Sequence, residues 1–214
     1  MKRSFALTIG AIACFALIVQ LYVSIQLNLA RGSSAAYGVW MYFAFFTVTT
    51  NILVAVTLIV PALSPSSRLG GFLAKPSSIT GATASIILVC IVYNTLLSHL
   101  YHQEGWRFVT DLLLHDVVPI LTVAYWWVAV KRGSVAWKSA AAWALYLVVY
   151  FLYASARGLV TGFYPYYFLN VEKLGFGWAL LNAIGVLAGF FVILFALIGL
   201  KSSRLAAGSP ETAA

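Results

Sequence analysis

The sequence predicts an all-α membrane protein, a six transmembrane helix bundle, and three observations carry that reading. The chain of 214 residues is 63% hydrophobic and only 8% charged, against roughly a quarter charged in a soluble domain. Its apolar residues fall into six runs, each near the ~20 residues that an α-helix needs to cross a ~30 Å hydrocarbon core. The breaks between runs carry turn residues and most of the basic side chains. The net charge of +8 is therefore a topology signal and not a nucleic-acid surface. So little chain is left over that no separate soluble domain fits.

The runs are 5–29, 38–61, 79–100, 108–130, 136–157 and 176–200. The first follows Lys2 and Arg3, but it is too long for a signal-peptide core and lacks a clear small-x-small cleavage site. It is expected as a retained first helix. The breaks are Arg31-Gly-Ser-Ser, Ser64 through Ser77, Gln103-Glu-Gly105, Lys131-Arg-Gly133 and Gly162 to Gly175. Residues 201–214 are small and polar and are expected to form a disordered cytoplasmic tail. With the N-terminus inside, Lys2, Arg3, Arg68, Lys75, Lys131, Arg132, Lys138, Lys201 and Arg204 lie inside, and Arg31, Arg107, Arg157 and Lys173 outside. That asymmetry predicts a cell-membrane protein with both termini cytoplasmic. No internal repeat is visible, which weakens an inverted-repeat transporter. Gly185 and Gly189 form a small-xxx-small face, expected to pack inside the bundle.

Cys14 and Cys90 lie within apolar runs and read as packing residues. There is no CxxC pair and no Cys/His metal spacing, so neither a metal nor a cofactor is expected. No signal sets an oligomeric state.

Polar side chains inside a membrane are costly and are functional candidates. Here they gather toward the outer ends of the runs. Gln20, Gln26 and Asn28 lie on run one, Thr47, Thr49, Thr50 and Asn51 on run two, and Asn94, His99 and His102 on run three. Run four carries Arg107, Asp111, His115 and Asp116, run five Tyr150, Tyr153 and Arg157, and run six Asn182. A polar chamber open toward the outer leaflet is expected. Arg107, Asp111 and His115 are spaced by four and share one helix face. In the expected relay Arg107 holds Asp111, and Asp111 fixes the tautomer of His115. Asp116 points elsewhere and is assigned to Arg157. Pro119 removes the amide that would bond the His115 carbonyl, loosening the helix there. Counted from the outer face at 1.5 Å per residue, Thr47 is about 14 Å deep and His115 about 10 Å. They can therefore meet if runs two and four are neighbours. The competing reading of any membrane threonine is a hydroxyl bonded back to its own helix. At least two of Thr47, Thr49 and Thr50 are expected to be structural in that way.

Three segments resemble the androgen-induced gene family of multipass membrane proteins and its bacterial six-helix relatives. They are Tyr42-Phe-Ala-Phe-Phe-Thr47-Val-Thr-Thr-Asn51, Leu113-Leu-His115-Asp-Val-Val-Pro119 and Gly158-Leu-Val-Thr-Gly162-Phe-Tyr-Pro165-Tyr-Tyr-Phe168. Animal members hydrolyse fatty acid esters of hydroxy fatty acids with an intramembrane threonine and histidine. The resemblance implies Thr47 as nucleophile and His115 as base, with Thr50 an alternative to Thr47. The spacing between the first two segments is shorter than in the animal proteins. Asp111 would orient His115, and Asn51, Asn94, Asn182 and Arg157 are the candidates for binding substrate or the oxyanion. The expected function is thus an intramembrane hydrolase of lipid esters, with membrane lipids as its partners and no nucleic acid. The alternatives are a small-molecule or proton transporter using Asp111 and His115, a non-catalytic integral membrane protein, and a haem carrier ligated by His99 and His115. No Gly-x-Ser-x-Gly elbow or HExxH motif is present.

Overall fold

A computed structural model describes residues 2–100 and 103–202. His102 and the tail from residue 203 lie outside the described residues. Among those described there is no strand, and six helices are long and apolar enough to cross a membrane. The all-α six-helix bundle expected from the sequence is the observed architecture.

The first span is α1 (Lys2–Ala30). The second is interrupted: α2 (Ala35–Tyr42) stops, Phe43 to Phe45 are non-helical, and α3 (Phe46–Leu63) resumes. A short α4 (Arg68–Leu73) leads to α5 (Pro76–Val92), which is extended by a π turn (Tyr93–Leu97) and a 3₁₀ turn (Ser98–Leu100). The fourth span comprises α6 (Trp106–Leu112), a second π turn (Leu113–Val117) and α7 (Val118–Ala129). The fifth comprises α8 (Trp137–Ala141) and α9 (Ala144–Thr161). After the short α10 (Val171–Leu174), α11 (Phe176–Leu200) completes the bundle. Alternation of the spans puts Lys2, the 64–75 and 131–136 connections and Lys201 on one side. The 31–34, 103–105 and 162–175 connections lie on the other.

The third span is the axis of the bundle: 61% of its most apolar window is buried, against 17% for α11. Its small residues explain this, because Ser78, Gly81, Ala82, Ala84 and Ser85 let neighbouring helices approach closely. Two of its hydroxyls are satisfied within the helix, Thr83 Oγ1 donating to the Ile79 carbonyl at 2.7 Å and Ser85 Oγ to that of Gly81 at 3.0 Å. Large apolar side chains such as Ile18, Ile120, Leu152, Val160 and Val192 face outward, as a helix surface against lipid requires. Gly185 is on that outward surface with no neighbour within 4 Å, and only Gly189 reaches inward, toward Leu88. The small-xxx-small pair expected inside the bundle is therefore mostly outside it.

Lys201 is not the start of a loose tail. It is buried, its ammonium donates to the Trp127 carbonyl at 2.6 Å and lies 4.4 Å from the Trp127 ring centroid. Its own carbonyl accepts from Gly133 N at 2.7 Å. The end of α11 is thereby fastened to the end of α7, and a cation sits at the C-terminal end of a helix dipole.

The 162–175 segment folds back against the bundle. Gly162 ends α9 in the left-handed conformation (φ 67°). Tyr164 then packs directly over Gly158, where a Cβ would overlap its ring. Tyr166, Phe168 and Leu169 are buried, and Asn182 Nδ2 holds the Phe168 carbonyl at 2.8 Å. Gly158→Ala is expected to displace this segment and destabilise the protein by about 1–3 kcal/mol. Thermal unfolding in detergent checks this, since an unchanged midpoint would mean the ring has room to move.

Candidate functional site

The interruption of helix two positions the site. Breaking a helix strands backbone carbonyls, which at membrane depth must find partners. Helix five supplies them from one face. Tyr150 Oη donates to the Ala44 carbonyl at 2.8 Å, Tyr153 Oη to that of Phe43 at 3.3 Å, and Arg157 Nη1 to that of Trp40 at 3.1 Å. The Arg157 guanidinium also stacks on the Trp40 ring, 3.2 Å from its centroid. These three polar residues, read from the sequence as part of a chamber, are the supports of the break. The break places Thr47 in the first turn of α3, with Phe45 extended before it (φ −91°, ψ 132°).

Thr47 faces helix four. Its Oγ1 lies 3.2 Å from His115 Nε2. His115 Nδ1 lies 2.9 Å from the Asp111 carbonyl oxygen and 3.2 Å from Asp111 Oδ1. Both neighbours are acceptors, so Nδ1 carries the proton and Nε2 is left to accept the hydrogen of Thr47. The expected Asp111–His115 pairing is present. The expected Arg107–Asp111 pair is not: Arg107 is exposed, and no ion pair to it forms among the described residues. Tyr93 stands in its place, its hydroxyl donating to Asp111 Oδ2 at 2.5 Å. The same tyrosine stacks on the imidazole, with centroids 3.6 Å apart and planes 14° from parallel.

Both partners of this stack lie in π turns, Tyr93–Leu97 and Leu113–Val117. A π turn inserts one extra residue and redirects the side chains around it, and such turns gather at functional sites. The second one ends at Val117, two residues before Pro119, whose missing amide was the sequence signal for a loosened helix. Asn51 joins the two motifs. Its amide donates to the Thr47 carbonyl at 2.9 Å and the Leu114 carbonyl at 3.2 Å, clamping α3 to the π turn that carries His115.

The other threonines are structural. Thr49 donates to the Phe46 carbonyl at 3.1 Å and receives Tyr146 Oη at 2.9 Å. Thr50 is fully buried and lies 3.0 Å from the same Tyr146 oxygen. Neither competes with Thr47 for His115. The oxyanion candidates are also engaged elsewhere. Asn51 clamps backbone, Asn182 holds the Phe168 carbonyl, and Asn94 donates to Asp116 Oδ1 at 2.9 Å. Asp116 thus pairs with Asn94 and not with Arg157, which belongs to the Trp40 stack. None of Asn51, Asn94, Asn182 and Arg157 lines the cleft described next.

Thr47 opens into a narrow cleft that is open on one side. Its walls are apolar, from Leu88, Val92, Leu147, Phe151, Phe168 and Val186, and its polar end is made by Thr47, Tyr93, Tyr150 and Tyr166. Tyr166 Oη accepts the Phe46 N–H at 3.0 Å. Tyr93 and Tyr166 are the site residues that polarity alone did not single out, because tyrosine is common in membrane helices and loops. Tyr166 does fall within the third family-like segment.

Comparison with family models, with curated proteins and with solved structures finds no match.

Proposed function

We propose that this chain is an intramembrane hydrolase of lipid esters, of the threonine/histidine type that its motifs resemble. The observation that carries the proposal is the 3.2 Å approach of Thr47 Oγ1 to a His115 Nε2 left free to accept a proton, at the polar end of an apolar cleft. Nucleophile, base and orienting carboxylate stand in the order that activated hydroxyls use. Thr47 Oγ attacks the ester carbonyl carbon while His115 takes its proton, and His115 returns that proton to the departing alcohol. Water then attacks the acyl-threonine by the same route. Asp111 and Tyr93 hold the imidazole in orientation and tautomer. An acyl chain lies along the Val92, Leu147 and Phe151 walls, exchanging contacts with lipid tails for packing against these side chains. The substrate class is that of long-chain esters, including fatty acid esters of hydroxy fatty acids. The test is fatty acid release from such esters by purified protein in bilayer discs, lost on Thr47→Ala.

The Asp111–His115 pair also suits a proton-coupled transporter, the second reading. Proton flux in liposomes without ester hydrolysis would favour it.

The proposed setting is a cell membrane with both termini cytoplasmic, since nine basic residues stand on that side against four opposite. Single cysteines at Ser66 and Gly133 are expected to label from the cytoplasm, and those at Gly105 and Glu172 from outside. Labelling of Gly105 from the cytoplasm alone would reverse the orientation.

A further inference from the structure

We propose that Tyr166 is the oxyanion donor of this site, its phenolic hydrogen binding the carbonyl oxygen as negative charge develops there; the assignment rests on the hydrolase reading. The polar end of the cleft holds three tyrosines besides Thr47. Tyr93 gives its hydrogen to Asp111 and Tyr150 gives its own to the Ala44 carbonyl. Tyr166 differs. Its oxygen accepts the Phe46 N–H, and the same hydroxyl lies against the Thr47 hydroxyl, the Thr47 amide and the Tyr150 hydroxyl. Among the described residues its own hydrogen is given to no carbonyl or carboxylate, and an oxyanion is a stronger acceptor than the neutral hydroxyls beside it. An N–H donated to a phenol oxygen polarises the O–H and strengthens it as a donor.

The position fits the reaction. An ester carbonyl carbon attacked by Thr47 Oγ1 carries its oxygen within reach of the groups that flank Oγ1. His115 is on one flank and Tyr166 on another. As the Thr47 O–C bond forms, the carbonyl π pair moves onto oxygen and the Thr47 proton moves to His115 Nε2. Tyr166 keeps its proton and donates a hydrogen bond to the new oxyanion. Collapse restores the carbonyl and expels the alkoxide, which His115 protonates. The asparagines expected in this role spend their amides on backbone carbonyls and Asp116. The aromatic stack of Tyr166 on Phe168, 5.3 Å between centroids, holds the ring in place.

The test compares native protein, Thr47→Ala and Tyr166→Phe in bilayer discs. Three probes are used: a long-chain fluorophosphonate, a trifluoromethyl ketone and an alkyl ether of equal chain length. The ketone adds to Thr47 and forms the oxyanion, whereas the ether fills the cleft and forms none. Tyr166→Phe is expected to slow fluorophosphonate labelling about 10²-fold and to weaken the ketone by a similar factor. Ether affinity should stay unchanged. Unchanged labelling, or equal weakening of ketone and ether, overturns the role and leaves the hydrolase reading standing if Thr47→Ala remains unlabelled. No Thr47-dependent labelling of the native protein overturns both. If Tyr166→Phe does not fold, 3-fluorotyrosine at position 166 replaces it. That ring is a stronger donor of the same shape, so the ketone should bind tighter, and weaker binding overturns the role.

Discussion

Thr47→Ala is expected to lower kcat/KM for lipid esters by about 10⁴-fold or more, the scale seen when a hydrolase loses its nucleophile. The protein should remain folded, because the lost hydroxyl bonds a side chain across the bundle and supports no backbone group. His115→Ala should cost about as much, since Thr47 would then have no acceptor for its proton. The double variant should be no worse than either single change, because residues acting as one unit are non-additive. Thr50→Ala should cost far less. Its hydroxyl meets Tyr146 and not His115, so only packing changes. Asp111→Asn falls between, as the carboxylate orients the imidazole while the Asp111 carbonyl oxygen, 2.9 Å from Nδ1, still holds the tautomer. The measurement is steady-state hydrolysis by protein purified free of host hydrolases. An active Thr47→Ala protein would sink the mechanism.

Arg157→Ala is expected to destabilise the fold by about 3 kcal/mol. Arg157 is 5% exposed, and its guanidinium bonds the Trp40 carbonyl and covers the Trp40 ring. Removing it strands a carbonyl, at about 1–3 kcal/mol, and forfeits a desolvated cation–π stack worth about 2 kcal/mol. The break in helix two would lose one of its three supports, so activity should fall with stability. Arg157→Lys should recover only part, because an ammonium lacks the planar face for stacking. Thermal unfolding with and without a cleft-filling ether reads this out. A native midpoint for Arg157→Ala would show that Tyr150 and Tyr153 suffice to hold the break.

The six spans were legible because the bilayer imposes a length and a polarity that composition cannot hide. The Asp111–His115 ladder was legible from i, i+4 spacing, and the matched depths of Thr47 and His115 put them within reach of each other. The interruption at Phe43 to Phe45 was not legible. No Gly or Pro marks it, and Tyr42-Phe-Ala-Phe-Phe46 reads as continuous apolar helix. Its cause is tertiary: Tyr150, Tyr153 and Arg157 on another helix satisfy the carbonyls that a break exposes. The same long-range origin hid the partner of Asp111. Local spacing offered Arg107, whereas the bundle brings Tyr93 across from the third span. Asn51 and Asn182 were read as donors for substrate because an amide in a membrane suggests function. In the folded chain they hold backbone carbonyls at the π turn and in the 162–175 connection, which non-helical backbone packed against a bundle requires.

Whether Thr47 is the nucleophile is decided by mapping a covalent adduct. Native protein in bilayer discs is treated with a long-chain fluorophosphonate, digested and sequenced by mass spectrometry. One adduct is expected, on Thr47, absent from His115→Ala protein and blocked by a long-chain ester. An adduct on Thr49 or Thr50, or labelling of Thr47 that persists without His115, would contradict it.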